Sequence, residues 1–181
     1  MVLAVPNQGT FVSGITDSAA FLNANVRDPI TFLANKPICR MHQGTVQSIA
    51  NVTNTAIMFD VNDVDSYSGH STVTNPSRYV AQVPGWHQVS GAVAMNTTQT
   101  TAPGAGAWAF IAKNGTLASP LIPGAVPSVS TLRLWTTPTD LIFLNTGDYL
   151  EIYVQQAEGG ARNTSVLSNQ YSFMAISWDH A

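Results

Sequence analysis

The stretch from Tyr79 to Met95 carries the clearest pattern of apolar and polar positions in the chain. Before Pro84, the residues Tyr79, Val80 and Val83 favour a pleated, half-buried surface, and after Gly85 a longer run alternates Val89, Gly91, Val93 and Met95 on one face. Proline cannot donate to a ladder and glycine weakens one, so at Pro84-Gly85 the chain must turn or cross between sheets. From Pro37 onward only strands and turns are legible, with runs near 38–43, 45–50, 55–61, 77–83, 86–95, 107–113, 128–135, 140–144, 148–156 and 170–178. Short strands at this density predict an all-β fold of about ten strands, a sandwich or a jelly roll. In the run 148–156, Leu150, Ile152 and Val154 share one face while Tyr149, Glu151 and Tyr153 share the other. That second face is too aromatic for an ordinary wetted surface, and it reads either as cross-strand aromatic pairing or as a subunit contact.

Ahead of residue 37 the period changes. Residues 1–15 contain Val2, Leu3, Val5, Phe11, Val12 and Ile15, broken by Pro6, Gly9 and Gly14, which predicts an extended arm. An apolar arm frays unless it is docked, and a neighbouring subunit is its simplest support. From Thr16 or Asp17 to about Asn35, the residues Ala19, Leu22, Val26, Ile30 and Leu33 recur at spacings of three and four, and Thr16, Asp17 or Ser18 can cap the first turn. Asp28-Pro29 fits a fresh first turn as well as a kink, so two short helices and one bent helix both remain open. Lys36-Pro37 ends the segment. Its apolar stripe either covers the base of the sandwich or packs at a threefold axis as a small bundle.

The β motifs come in a characteristic order. Tyr79-Val80 precedes Pro84-Gly85-Trp86 and a long alternating strand; Lys113-Asn114-Gly115 closes the run from Ala107; Gly147-Asp148 sits in the Leu144–Val154 hairpin; Tyr171–Trp178 is an aromatic last strand. Over residues 37–181 this series resembles the trimeric jelly roll of the complement-head and tumour necrosis factor superfamily. The resemblance implies a homotrimer in which sheet faces bearing Trp86, Trp108, Tyr149, Tyr153, Phe173 and Trp178 fill each sandwich and the threefold contact. No collagen-like stalk precedes the domain, so the ligands of complement proteins are not carried over.

A second resemblance covers Gly14 to Leu33. The series Thr16, Ala19-Ala20, Leu22-Asn23, Val26-Arg27-Asp28 and Phe32-Leu33 is similar to the opening of many tailed-phage structural proteins, especially those of actinobacterial phages, where it precedes a variable β domain. It implies a virion component attached by its N-terminal segment.

Composition narrows the function classes. Charged residues make up 9% of the 181 positions, against an ordinary level of about 25%. Either neutral polar groups keep such a surface soluble, or much of it lies in subunit contacts, where charge is depleted; the second account is preferred. A net charge of -3 with scattered cations argues against direct nucleic-acid binding. The N-terminus has neither a basic start nor a long apolar stretch, so neither a signal peptide nor a membrane span is expected. Cys39 reads as a small buried hydrophobe.

Candidate chemistry is sparse. His42, His70, His87 and His180 stand apart, with no pair at metal-ligand spacing and no nucleophile elbow or phosphate loop nearby, so no catalytic residue, cofactor or enzymatic activity is expected. The run Asp60-Val-Asn-Asp-Val-Asp65 could supply oxygen ligands to Ca²⁺ through Asp60, Asp63 and Asp65, as some members of the resembled superfamily bind calcium near the trimer apex. It lacks the glycine and distal glutamate of a calcium loop, and a solvated turn is the preferred reading. Three long loops, Asp63–Asn75, Asn96–Gly106 and Ala118–Pro127, are the places for recognition on such a scaffold.

The reading is therefore a non-enzymatic phage virion protein assembled in the host cytoplasm. Residues 1–36 form an arm and helical attachment segment, and residues 37–181 form a jelly-roll trimerisation domain. Val2, Leu3, Val5, Phe11, Leu22, Val26, Ile30 and Leu33 are the candidate attachment residues, and the partners are two further copies plus the major capsid protein or tail proteins. It would serve as a capsid decoration (cement) protein or a minor tail protein. The alternative is a receptor- or glycan-binding trimeric module at a fibre tip, or a lectin-like one.

Overall fold

The computed structural model describes residues 5–6, 9–14, 18–96, 106–118, 122–123 and 132–181. Ser18 caps the first helix, its Oγ accepting from Phe21 N at 3.1 Å. Helix α1 (Ala19–Leu22) runs through a π-helical turn (Asn23–Arg27) into α2 (Asp28–Ala34), making one continuous segment. The wide turn explains how Pro29 is tolerated. Asp28 N reaches back five residues to Asn23 O, and the ladder is already widened where proline has no N–H to offer. Asn35 leaves the helical conformation, and Pro37 follows.

The strands in chain order are β1 (Ile38–His42), β2 (Ser48–Ile49), β3 (Thr55–Ala56), β4 (Val61–Asp65), β5 (Tyr79–Val80), β6 (Gly85–Asn96), β7 (Ala107–Lys113) and β8 (Thr116–Leu117). They continue with β9 (Ile122–Pro123), β10 (Leu132–Thr136), β11 (Asp140–Leu144), β12 (Tyr149–Gln156), β13 (Arg162–Thr164), β14 (Val166–Leu167), β15 (Gln170–Tyr171) and β16 (Phe173–His180). One sheet has the order β2-β13-β6-β16-β1-β4, with β10 and β11 also pairing with β6. The second has the order β3-β12-β7-β8, with β5 pairing with β12 and β9 with β7. All named strand pairs are antiparallel. The jelly-roll sandwich that the resemblance implies is the fold observed.

Pro84-Gly85 is the crossing point between sheets. β5 belongs to the second sheet and β6 to the first, so the chain changes layer between Val80 and Gly85. Gly85 has φ +137°, and a Cβ there would lie 2.5 Å from His180 O, so no other residue fits. Along β6, Val89, Val93 and Met95 point into the core, as the alternation predicts. Gly91 faces the same way for want of space: an added Cβ would lie 2.6 Å from Phe173 O and collide with the Ile152 side chain of the opposite sheet.

The core between the layers is mainly aliphatic, with Met41, Ile49, Ile57, Ile111, Leu144, Leu150, Ile152 and Val154 joined by Phe59, Tyr79 and Trp135. None of Trp86, Trp108, Tyr149, Tyr153, Phe173 and Trp178 belongs to this main cluster. A smaller cluster of Phe32, Val83 and Trp178, with Val5 and Tyr67 packed against it, fastens the helical segment to the sandwich.

Two expectations are corrected. The acidic run is neither a turn nor a loop: Val61–Asp65 forms β4 at an edge of the first sheet, paired with β1 through a register shift at Arg40/Met41. A charged strand is stable there because only one neighbour must be matched and the free edge gains from charge. The predicted runs 45–50, 55–61 and 77–83 shrink to the short strands β2, β3 and β5. Of the three recognition loops, residues 97–105, 119–121 and 124–127 lie outside the described residues, as do 128–131 of the predicted strand 128–135.

Candidate functional site

Four groups of residues bear on function, and the first is the helical segment. Phe32 and Pro29 are buried towards the sandwich, whereas Leu22, Val26, Ile30 and Leu33 all remain exposed, Ile30 and Leu33 by 61% and 59%. The stripe predicted from spacing is thus a real surface, directed away from the chain's own core. Gly9 N donates to Asn25 Oδ1 at 2.6 Å, and Phe11 meets Phe21 edge-on with centroids 5.2 Å apart, so part of the arm lies along the helix. Val5 packs beside Phe32 and Trp178, Phe11 stays mostly exposed, and Val2 and Leu3 lie outside the described residues.

The second group is the outer face of the first sheet. The register sets Phe143 opposite Trp86, Leu141 opposite Gln88 and Leu134 opposite Ala94, and continues through Phe173, Ala175 and Ser177 of β16. Trp86 and Phe143 pack edge-on at 5.6 Å, yet both remain over a third exposed, as do Leu134 and Leu141. Across the β10/β11, β6 and β16 positions of this face, small or neutral residues surround large apolar ones. Ionic groups flank it on two sides: toward β1 and β4, Arg40 pairs with Asp63 and covers the Phe173 ring at 5.4 Å, and at the end of β16 His180 stacks on Trp86 with centroids 6.3 Å apart and bonds Asp179.

The third group is the outer face of the second sheet. Cross-strand register sets Tyr153 opposite Phe110 and Gln155 opposite Trp108. The Phe110 and Tyr153 rings are stacked 11° from parallel with centroids 5.6 Å apart. Beside them on the same face, Glu151 is 3% exposed, accepting from Ser77 Oγ at 2.7 Å, Arg78 Nε at 3.2 Å and Tyr153 OH at 3.2 Å. The Arg78 guanidinium also lies 4.0 Å from the centre of the Tyr149 ring. Burial raises the Tyr153 phenol above its ordinary value, with the Glu151 charge adding to it, so Tyr153 remains a donor. Trp108, Phe110, Tyr153, Leu117, Asn54 and Gln155 line a cleft of about 340 Å³ on this face. Of the two sequence readings of this face, the cross-strand aromatic pairing is present, between β7 and β12.

The six aromatic residues named from sequence are therefore split three ways. Trp86 and Phe173 stand on one outer face, Trp108, Tyr149 and Tyr153 on the other, and Trp178 is buried beneath the helical segment.

The fourth group is the set of acidic and imidazole side chains. Asp60 Oδ1 accepts from Thr45 N, and hydrogen bonds from residues 44 and 45 hold its carboxyl below the usual value against the opposing effect of burial. Asp63 pairs with Arg40 and approaches His42, while Asp65 accepts from Gly69 N and His70 N at 2.9 Å each. The three carboxylates serve three separate structural tasks and do not converge on a common point. Among the described residues no group of three His, Cys, Asp or Glu side chains is placed to hold a metal ion. His70 is bonded to the carbonyl oxygens of Arg78 and Phe59 at 2.8 and 2.9 Å. His87 is fully buried, its Nδ1 donating to Gly85 O at 3.0 Å, and burial lowers its pKa. His42 lies against Tyr171 with centroids 4.5 Å apart, and His180 is exposed beside Asp179. Sequence reasoning placed Glu151 on this face but missed Phe110 and Arg78; their relation depends on the pairing of β7 with β12 and on the loop that returns Arg78 to that face.

No helix among the described residues is long and apolar enough to cross a membrane. No family model matches the chain, and no curated protein matches it. Solved structures do. Murine APRIL at pH 5.0 superposes with a TM-score of 0.56 at 11% identity, covering 80% of this chain and 99% of that one. Murine APRIL at pH 8.0 gives 0.54 at 12% identity, over 79% and 98%. The globular domain of zebrafish complement 1qA protein gives 0.53 at 12% identity, over 80% and 98%. At such identities the likeness is one of fold, and this chain is folded as the jelly-roll sandwich that murine APRIL and the zebrafish complement globular domain share.

Proposed function

We propose that this chain is a structural protein of a phage virion, a homotrimeric capsid decoration or minor tail protein that attaches by its N-terminal segment. The observation that carries the proposal is the orientation of the helical stripe. A lone domain gains by burying apolar residues against itself, yet Leu22, Val26, Ile30 and Leu33 all face outward while Pro29 and Phe32 hold the segment to the sandwich. Such a stripe serves attachment to a second protein. The phage-like series from Gly14 to Leu33 coincides with this segment and is the ground for assigning that protein to a virion.

The homotrimer rests on the outer face of the first sheet. Trp86, Leu134, Leu141 and Phe143 form an apolar surface rimmed by Lys113 and by the Asp179–His180 pair, and two further copies of the chain would remove it from water. The resemblance to trimeric jelly rolls points the same way. On this reading the arm and stripe bind the capsid or tail, the first sheet closes the trimer, and no reaction is catalysed.

Copy number in purified particles, measured by quantitative mass spectrometry against the major capsid protein, tests the proposal. Hundreds of copies identify a shell decoration protein, and a few copies in multiples of three identify a tail component. Absence from particles refutes the virion assignment.

A further inference from the structure

We propose that the cleft on the outer face of the second sheet binds a neutral saccharide. The lining supplies what a sugar ring requires and little that other ligands need. A pyranose has an apolar C–H face and a rim of hydroxyls; here the half-buried rings of Trp108 and Tyr153 provide apolar faces over a floor made by buried Phe110, and the carboxamides of Asn54 and Gln155 provide donors and acceptors at the rim. Neither carboxamide has a hydrogen-bond partner among the described residues, and both are accessible. No described lining residue is charged, which disfavours phosphates, carboxylates and nucleotides.

The site is preorganised. Trp108 and Phe110 stand on β7 and Tyr153 and Gln155 on β12, strands paired over their whole facing length, so their spacing is set by the ladder rather than by a loop. Buried Glu151 accepts from the Tyr153 hydroxyl and is itself held by Ser77 and Arg78, which fixes the ring parallel to Phe110. A cleft of about 340 Å³ lies at the small end of ligand sites, so it takes one sugar ring or a short oligosaccharide end. This site lies on the sheet opposite the proposed trimer face, and the inference stands without the virion reading.

The test is saturation-transfer NMR on the full chain with the methyl glycosides of glucose, galactose, mannose and N-acetylglucosamine. The expected result is transfer to the ring C–H protons of at least one glycoside, reduced about tenfold by Trp108→Ala and by Gln155→Ala. Gln155→Ala removes only a half-exposed side chain, so it decides the matter if Trp108→Ala fails to fold. The inference is overturned by folded wild-type protein giving no transfer to any of the four, or by transfer that survives in the folded variants. Binding of an apolar dye at the cleft without glycoside binding also overturns it.

Discussion

The ring of Phe32 meets the Trp178 indole edge-on, with centroids 5.0 Å apart and planes at 85°. The indole Nε1 donates to Pro84 O at 3.0 Å, and Trp178 N donates to Pro37 O at 2.9 Å. One aromatic contact thus joins the helical segment, the Pro84-Gly85 crossing and the last strand. Phe32→Ala should cost about 3 kcal/mol, the low end for a phenylalanine truncation because the cluster is small. Thermal unfolding monitored by tryptophan fluorescence would check this; an unchanged midpoint would show that the helix is not fastened here.

Attachment and stability should separate. Ile30→Arg with Leu33→Arg alters only exposed side chains, so the melting temperature should hold while incorporation into particles is lost. Deleting the whole segment is a poorer experiment, because it would strip Phe32 from Trp178 and uncover Val83.

The proposed trimer face makes its own demand. Phe143→Glu together with Leu134→Glu should convert a sedimenting trimer into a folded monomer, since a carboxylate at each position would need burial without a partner. A trimer of unchanged sedimentation would place the subunit contact elsewhere.

Glu151 is buried with Arg78 on one side and Tyr153 on the other. Removing it by Glu151→Ala leaves Arg78 and Ser77 without their acceptor, and because Arg78 keeps partial access to water the loss should be about 2 kcal/mol. Chemical denaturation should show this, with Glu151→Gln losing less. Equal losses would mean that the charge contributes nothing.

His87 predicts a pH dependence. Burial lowers its pKa below the ordinary 6.5, so between these two values the unfolded chain takes up a proton that the folded chain refuses. Its stability contribution is complete above about pH 6.5 and is lost as the pH falls through the lowered folded value. The Asp148 carboxyl, held well below the usual range by Lys113, Asn114 and Asn145, acts in the same direction only in stronger acid. Denaturation midpoints at about pH 7.5 and about pH 5 should therefore differ, and His87→Gln should flatten the difference. The Cys39 thiol is a companion case, pushed up to about 12 by burial first and by Asp65 second, so it should resist thiol reagents until the protein unfolds.

Much of the fold is determined locally. The alternation in β6 and β12, the break at Pro84-Gly85, a cap just ahead of Ala19 and an apolar stripe from Leu22 to Leu33 follow from spacing and residue type, because a side chain's face is set by its neighbours two or four positions away; that the break is a layer change and that the stripe faces outward do not. Tertiary structure decided the rest. It turned Val61–Asp65 into an edge strand, because a pairing partner is remote in sequence and each carboxylate finds its own donor only after folding. It separated Trp86 from Trp108 and buried Trp178, though all three are tryptophans on strands, because two sheets offer an inside and two outsides that period alone cannot tell apart. It also assembled the cleft of Trp108, Phe110 and Tyr153, with Glu151 beside it, from strands whose register depends on long-range pairing.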